Sequence, residues 1–245
     1  MLQINNLSVH IWEKEILNGI SFDFEKGKNY CILWKNGSGK SSLAMTIAWN
    51  PKYEISNWDI FLNWESLKNL SVDERSKKGI FLSFQNIPEI PWVKLFEFLK
   101  AIYDIRQEKP ISFMGFKKII EPLVEELEID KSFLRRDLNV GFSWGEKRKI
   151  EVLQIRLLNP SIIILDEIDS GLDVDSLKIV CENINNYKKE HPNTSILIIT
   201  HYSRLLEYIK PDFVHMMVGG HIVKTGDASL GYEIDKTGYK EEENA

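Results

Sequence analysis

The stretch that decides the fold is CILWKNGSGKSS, residues 31–42. It matches the phosphate-binding pattern G-x-x-x-x-G-K-[ST] at Gly39, Lys40 and Ser41, but Trp34 stands where the pattern opens with glycine. An apolar run precedes the stretch and helically spaced residues follow it, which is the strand–loop–helix context that such a loop requires. The alternative is a glycine-rich turn without a ligand. The complete context favours a nucleotide site.

The parts of this loop suit the binding of phosphate. Its backbone N–H groups can converge on the β- and γ-phosphates, helped by the positive end of the helix that begins near Lys40. The Lys40 ammonium adds a point charge, and the Ser41 hydroxyl can ligate Mg²⁺. The predicted nucleotide-binding residues of the loop are Trp34, Lys35, Asn36, Gly37, Ser38, Gly39, Lys40, Ser41 and Ser42.

A pair of carboxylates ends the apolar run in IIILDEIDSGLD, residues 162–173. A buried strand that ends in Asp166 places this side chain at the carboxyl edge of a sheet, where it can hold Mg²⁺ through water. Glu167 is the candidate general base that polarises the attacking water. The alternative is that both carboxylates cap the next helix. Together with the phosphate loop, the pair favours the catalytic interpretation.

Composition excludes several classes of protein. The formal net charge is −5, from 31 basic and 36 acidic residues, which argues against a nucleic-acid partner. Cys31 and Cys181 lie among apolar residues and predict buried free thiols in a reducing cytosol. The longest apolar run, SIIILD at residues 161–166, is too short to span a membrane, and the first residues show no leader pattern. We expect a cytoplasmic protein without direct membrane insertion.

The hydrophobic pattern predicts one domain of the α/β class with an inserted α-helical subdomain. Strand and helix patterns alternate over residues 1–85 and 150–230, which we expect to form the nucleotide-binding core. Between about residues 86 and 149 the apolar positions repeat at helical spacing, which predicts the helical subdomain. Residues 231–245 are charged and are expected to form a C-terminal tail.

The motif NVGFSWGEKRK, residues 139–149, resembles the L-S-G-G-[QE] signature of ABC ATPases. Phe142 stands for the usual leucine and Trp144 for the first glycine. The resemblance implies an ATP-dependent homodimer, in which the signature of one subunit binds the nucleotide of the other. The signature residues implied to bind nucleotide are Ser143, Trp144, Gly145 and Glu146.

Three further motifs carry the same resemblance. Gln85 in LSFQN matches the Q-loop, which implies contact with nucleotide, Mg²⁺ and water, and SGLD at residues 170–173 matches the D-loop. His201 in IITHYSRLL matches the switch histidine, which implies a catalytic contact with the γ-phosphate beside Glu167. The resemblance therefore implies an ABC-type P-loop ATPase core that hydrolyses ATP with Mg²⁺. The residues implied to hold the ion are Ser41, Gln85 and Asp166.

Over essentially the whole chain the sequence is similar to the SufC-type ATPases of the SUF iron–sulfur cluster assembly system. GIFLSFQNIPEIPWV (residues 79–93) and YIKPDFVH (residues 208–215) carry this likeness along with the D-loop. It implies SufB- and SufD-like scaffold partners in a soluble complex, contacted through roughly residues 86–103. Two other classes stay open. One is the ATPase subunit of a membrane transporter, with the same catalytic residues, and the other is a catalytically inactive regulatory ATPase.

Tryptophan is unusually frequent in this chain, with seven residues against 14 glycines. In the SufC-type pattern each tryptophan falls where that family has glycine. Drift in an inactive paralogue is one explanation, but Lys40 and Glu167 are unaltered. Our hypothesis is that the source bacterium reads UGA as glycine, so that glycine rises to 21 residues, about 9% of the chain. The seven positions are Trp12, Trp34, Trp49, Trp58, Trp64, Trp92 and Trp144.

Overall fold

The computed structural model describes residues 1–201 and 204–237, apart from the side chains of residues 57–59 and 235–237. In chain order its strands are β1 (Leu2–Ile11), β2 (Lys14–Phe24), β3 (Asn29–Leu33), β4 (Glu54–Leu62), β5 (Glu65–Ser66), β6 (Ile80–Ser83), β7 (Ile90–Lys94), β8 (Asp137–Leu138), β9 (Ile162–Asp166), β10 (Ser195–Thr200), β11 (Phe213–Val218) and β12 (His221–Gly226). Its helices are α1 (Lys40–Ile47), α2 (Val72–Lys77), α3 (Leu95–Asp104), α4 (Phe113–Glu126), α5 (Trp144–Leu158), α6 (Val174–Glu190), α7 (Leu205–Tyr208) and α8 (Ala228–Thr237), with a 3₁₀ helix at Lys131–Arg135. The predicted α/β class is confirmed.

The residues group into two units. The first contains Met1–Gln85, Ser161–Ile168 and the residues from His191 onward, and the second contains Asn86–Pro160 and Asp169–Glu190. This division differs from the expected boundary at residue 149, because α5 is one continuous helix across that position and α6 belongs with it. The expected C-terminal tail is helical as far as the end of α8, and residues 238–245 lie outside the described part.

A six-stranded sheet forms the centre of the first unit, in the order β12-β11-β3-β10-β9-β6. Every strand pair from β11 to β6 is parallel, and only β12 runs antiparallel to its neighbour. Strands β9 and β10 are buried along their whole length, which explains their uninterrupted β-branched sequences. Because β3, β10, β9 and β6 are parallel neighbours, their carboxyl ends lie along one edge of the sheet.

A second, antiparallel sheet of the first unit has the order β2-β1-β4-β5. Its strand β1 buries alternate apolar residues, among them Leu2 and Ile4, as the period of two in its sequence predicts. These residues share one hydrophobic core with Leu43 and Ile47 of α1. The helix that follows the phosphate loop is therefore fixed by packing on its apolar face.

The second unit is mainly helical, with α3, α4, α5 and α6 and the short antiparallel pair β7–β8. Cys181 of α6 and, in the first unit, Cys31 of β3 are buried thiols, as predicted. Burial raises the pKa of the Cys181 thiol to about 12. A thiol with such a pKa stays neutral and unreactive at physiological pH.

The fully buried Arg75 of α2 joins two segments of the first unit through backbone carbonyls. Its guanidinium donates to Ile47 O at 2.8 Å, Thr46 O at 3.2 Å, Leu67 O at 2.7 Å and Leu70 O at 3.2 Å. Burial lowers the pKa of Arg75 to about 10. The side chain thereby supplies additional donors to carbonyls at the end of α1.

Replacing this arginine, as Arg75→Met, is expected to lower the free energy of unfolding by about 2–4 kcal/mol, because several buried carbonyls lose their donors. Urea denaturation measures the change. The matched control is Lys77→Met on the same helix, whose side chain is exposed and whose replacement is expected to change stability by less than about 0.5 kcal/mol. Equal stability of the two variants would contradict this role.

The burial of His215 in β11 predicts that the stability of the protein depends on pH. The ring is buried, its Nδ1 lies 2.8 Å from Thr225 Oγ1, and it stacks on Tyr30. Burial lowers the pKa of His215 to about 4, whereas an unfolded histidine titrates near 6.5. Between these values the unfolded chain binds more protons, so stability is complete above pH 6.5 and falls as the pH drops towards 4.

The expected loss at the acid end is about 3 kcal/mol. Urea unfolding at several pH values between 4 and 7 measures it. His215→Asn, which retains a polar partner for Thr225, is expected to flatten the profile. The exposed His221 of the same hairpin supplies the control, since His221→Asn is expected to leave the slope in place. An unchanged slope in the His215 variant would contradict the assignment.

Candidate active site

The predicted catalytic and binding residues of the first unit meet at the ends of four neighbouring strands. The loop of residues 34–42 follows β3, and β9 ends in Asp166 with Glu167 directly after it. Gln85 lies just beyond β6, and His201 directly follows β10. Because these strands are parallel and adjacent, the four segments lie along one edge, where open α/β sheets bind ligands.

Glycine is required at the end of the phosphate loop. Gly39 precedes α1 with φ of 105°, in the left-handed region that residues with a Cβ rarely adopt. A Cβ at this position would lie 2.9 Å from Leu17 Cδ2 and 3.2 Å from Ile16 O. The loop therefore turns tightly into the helix, and its N–H groups are directed to the space beyond the strand.

Lys40 is buried beneath this loop. Its ammonium donates to the carbonyl oxygen of Trp34 at 2.6 Å and to that of Lys35 at 2.9 Å. Burial lowers the pKa of Lys40, and the nearby carboxylates of Glu167 and Asp166 act in the opposite direction. The lysine is thus a desolvated cation for which an added phosphate would be a favourable neighbour.

Ser41 and Asp166 form a pair of oxygen ligands. The Ser41 hydroxyl donates to Asp166 Oδ1 at 3.0 Å, and the aspartate is fully buried. Hydroxyl and carboxylate oxygens are the ligands that Mg²⁺ prefers, and the ion keeps several further positions for water and phosphate. The residues present therefore fit a Mg²⁺ ion shared with a bound nucleotide.

Glu167 is held by two side chains from neighbouring strand ends. Gln85 Nε2 donates to Glu167 Oε2 at 2.6 Å, and His201 Nδ1 lies 3.5 Å from Glu167 Oε1. The backbone of Glu167 has φ of 50°, and its N–H donates to Ile199 O at 2.8 Å. A left-handed glutamate is a strained conformation of the kind that concentrates at functional sites.

The alternative role of the two carboxylates would be to cap the next helix. In the structure another residue caps that helix. Asp173 precedes α6 and accepts hydrogen bonds from Ser176 N and Ser176 Oγ, both at 2.8 Å. Asp166 and Glu167 contact the phosphate loop and the Q-loop glutamine instead. The catalytic and metal-binding roles of the two carboxylates stay a prediction.

A cavity of about 490 Å³, within the range of small-molecule sites, lies beside the phosphate loop. Its lining includes loop residues between Asn36 and Ser42 together with Gln85 and Glu167. Lys14 and Ile16 of β2 complete it. Sequence reasoning missed these two, because their alternating pattern indicates only a strand and says nothing of the loop beside it.

The other predicted loop residues lie around this cavity in different ways. Trp34 and Ser38 are buried, whereas the side chain of Lys35 is exposed. Trp34 contributes its carbonyl oxygen to Lys40. The contribution of these three residues to nucleotide binding stays a prediction.

The signature motif begins α5 in the second unit. Ser143 Oγ accepts from Glu146 N at 3.3 Å, and Glu146 Oε2 accepts from Ser143 N at 2.7 Å, which is a reciprocal helix cap. The side chain of Trp144 is partly exposed. A Cβ on Gly145 would lie 2.8 Å from Ser176 Oγ. The role of these residues at a second subunit's nucleotide stays a prediction.

The fold and the site define a P-loop nucleotide-binding protein. The profile of the ABC transporter family matches residues 17–170. The chain is 42% identical to a "Probable ATP-dependent transporter ycf16" of Antithamnion sp., over 98% of this chain and 96% of that protein. It is also 42% identical to "Vegetative protein 296" of Bacillus subtilis, over 97% of this chain and 91% of that protein. The chain belongs to the ABC transporter family of ATPases.

Solved structures show the same fold. A dimeric ATP-binding cassette in a post-hydrolysis state, bound to ADP and Pi, has a TM-score of 0.80 at 16% identity, over 93% of this chain and 99% of that one. As a member of the family, this chain is an ATPase that uses ATP and Mg²⁺. Within residues 1–201 and 204–237, none of the helices is both long enough and apolar enough to cross a membrane.

Proposed function

We propose that the chain hydrolyses ATP at this site as the ATPase subunit of a soluble, cytoplasmic iron–sulfur cluster assembly complex. The observation that carries the proposed chemistry is the arrangement around Glu167. A buried lysine, a hydroxyl–carboxylate pair and an oriented glutamate lie at the carboxyl ends of β3 and β9, and Lys40, Ser41 and Glu167 line one cavity. Phosphoryl transfer to water needs these groups and little more.

The proposed reaction assigns one task to each residue. Lys40 and the loop N–H groups bind the phosphates, and Glu167 accepts the proton of a water whose oxygen attacks the γ-phosphorus. The bond to the bridging oxygen breaks, which leaves ADP and inorganic phosphate. Gln85 orients the glutamate and the water, and His201 contacts the γ-phosphate. Mg²⁺ held by Ser41, Asp166 and Gln85 would neutralise charge on the phosphates.

A second copy of the chain is proposed to complete the site during the ATP-bound state. The N-terminus of α5 offers free backbone N–H groups, which attract anions, and the related cassette described above was solved as a dimer. In this proposal Ser143 and Gly145 contact the γ-phosphate bound to the other subunit, with Glu146 holding the turn. Residue 144 lies directly beside them.

The assignment to iron–sulfur assembly rests on the whole-chain resemblance to SufC-type ATPases. Part of that resemblance has a structural explanation, since Asp212 in YIKPDFVH accepts from Asn29 N at 2.8 Å and from Lys28 Nζ at 2.9 Å. That motif anchors the start of β3. By the same resemblance we place the contact with SufB- and SufD-like scaffolds on residues 86–103, where Ile90 is exposed.

The second candidate is the ATPase subunit of a membrane transporter. It is favoured by the printed names of the relatives, among them "Probable ABC transporter ATP-binding protein spyM18_0273" of Streptococcus pyogenes, which is 42% identical over 98% of this chain and 93% of that protein. The residues of the ATP site are the same in both cases. The partner distinguishes the two functions.

Purification of the tagged chain from its source cells separates these candidates. We expect two related soluble proteins in stoichiometric amounts without detergent. A multi-spanning membrane protein that requires detergent would contradict the proposal. The variant Ile90→Asp is expected to reduce the retained scaffold at least tenfold, because a carboxylate desolvated in an interface is costly. Its control, Val72→Asp, places the same charge at an exposed position of α2 in the first unit.

A further inference from the structure

Four tryptophans have a backbone conformation that suits glycine. Trp12, Trp49, Trp64 and Trp92 have φ values of 56°, 66°, 69° and 68°. In this left-handed region non-glycine residues are uncommon, asparagine is enriched, and a bulky residue is an outlier. Of the six other non-glycine residues with positive φ in the described part, four are asparagine. Tryptophan is therefore as frequent there as asparagine, the non-glycine residue best suited to this conformation.

Two of the four occupy the turns of two-residue β-hairpins. The β1–β2 turn lies between the paired residues Ile11 and Lys14, with positive φ at Trp12 but not at Glu13. This is the pattern of a type II′ turn, which places glycine at the first central position. The tryptophan side chain is 85% exposed, so no packing offsets its conformation.

The β4–β5 turn also favours glycine, but through a different turn conformation. Leu62 pairs with Glu65, and both residues between them, Asn63 and Trp64, have positive φ. Positive φ at both central positions defines a type I′ turn, for which Asn-Gly is the preferred sequence. Here the second residue is tryptophan, and its side chain is 77% exposed.

Trp49 occupies the position after the last turn of α1. Asn50 N donates to Met45 O at 2.8 Å, and Trp49 N donates to Thr46 O at 3.1 Å. This pair of bonds is the Schellman motif, whose left-handed residue is usually glycine. Trp92, 92% exposed, lies within the irregular β7–β8 pairing, and left-handed glycine is typical of one kind of β-bulge.

The remaining tryptophans extend the pattern into the ATP motifs. Trp34 takes the opening glycine of the phosphate loop, and Trp144 lies in the signature next to Gly145. The indole of Trp144 is so close to the backbone of Gly171 that a Cβ there would lie 3.2 Å from Trp144 Cγ. The side chain of Trp58 lies outside the described residues. Three kinds of turn and two nucleotide-binding motifs thus each favour glycine at a position where this sequence has tryptophan.

We propose that all seven tryptophan positions are glycine in the protein that the source cell makes, because its gene has UGA there and the cell reads UGA as glycine. UGA means tryptophan in some genetic codes and glycine in others, so one reading rule accounts for all seven positions. The backbone argument at residues 12, 49, 64 and 92 is independent of the proposed function. Only the consequence for residues 34 and 144, that glycine rather than tryptophan would lie beside the nucleotide, rests on the proposed function.

The gene and the native protein test this directly. We expect UGA at all seven codons, and peptides from protein purified from the source cells should have the masses of the glycine forms. A UGG codon at any of the seven positions, or a peptide containing tryptophan, would overturn the proposal. Native protein should also lack tryptophan fluorescence. Loss of ATP turnover in the glycine form would count against the proposed function and not against this inference.

A stability comparison in an ordinary host adds a second test. Trp64→Gly is expected to raise the urea midpoint of the tryptophan-containing chain, because it relieves a left-handed bulky residue. The control is Phe113→Gly, which removes an exposed aromatic residue from the start of α4 and is expected to lower the midpoint, since glycine disfavours helix. A fall in both midpoints would contradict the proposal.

Discussion

Replacing Glu167 with glutamine is expected to lower the rate of ATP hydrolysis by about 10²–10⁴-fold, the usual contribution of a general base. Glutamine has the same shape as glutamate and can keep a contact with Gln85, which now lies 2.6 Å from the carboxylate. It cannot accept the proton of the attacking water. We therefore expect the affinity for ATP to stay within about threefold of the starting protein.

Single-turnover hydrolysis and equilibrium binding of ATP separate these two effects. The comparison uses whichever form of the chain, with tryptophan or glycine at the seven positions, hydrolyses ATP. Glu207→Gln, at an exposed position of α7, is the matched control and should hydrolyse ATP normally. A turnover rate of Glu167→Gln close to that of the control would show that another group takes the proton.

Replacing Lys40 with methionine is expected to act differently and to weaken the binding of ATP itself. Removing one partner of a buried, hydrogen-bonded charge pair costs about 2–5 kcal/mol, which corresponds to at least a thirtyfold weaker affinity. The ammonium is already desolvated in the protein without nucleotide, and burial lowers its pKa. Methionine at this position is expected to lower the free energy of unfolding by about 1–3 kcal/mol, because the carbonyls of residues 34 and 35 lose this donor.

Calorimetric titration with ATP and urea denaturation measure these two quantities on the same samples. Lys52→Met, in an exposed turn of the first unit, is the control for the loss of one positive charge. An affinity of the Lys40 variant equal to that of the control would contradict the site. Collapse of its fold would instead assign the lysine a structural role through the carbonyls of residues 34 and 35.

Much of this site could be predicted because its residues are contiguous in sequence and attached to buried strands. The phosphate loop needs glycine at residue 39 for its tight turn, and Asp166 ends a strand whose apolar residues admit only a central place in the sheet. Such features are local. They follow from backbone geometry and hydrophobicity without knowledge of distant contacts.

Other features depend on contacts between distant segments. Lys14 and Ile16 line the cavity only because β2 packs beside the phosphate loop, where Ile16 O lies near both Gly39 and Gly220. The boundary expected at residue 149 failed to anticipate that α5 continues to Leu158. A helical period indicates the helix but not which unit it packs in. The hydrogen bond from Gln85 to Glu167 likewise joins residues 82 positions apart.

The tryptophans show how backbone geometry adds to sequence comparison. Composition alone marked them as too frequent, but the turn types at residues 12, 49 and 64 indicate independently which amino acid each position suits. With glycine at these positions, local preference and global fold agree. With tryptophan they conflict, and at residues 12 and 64 most of the side chain is exposed to solvent.

The most direct measurement is a crystal structure of the Glu167→Gln variant with ATP and Mg²⁺. We predict the triphosphate in the cavity beneath residues 36–42, with Lys40 on the β- and γ-phosphates, Mg²⁺ beside Ser41 and Asp166, and Ser143 of the partner subunit on the γ-phosphate. ATP bound elsewhere, or a Lys40 ammonium that keeps its bonds to the carbonyls of residues 34 and 35 and leaves the phosphates alone, would contradict the account.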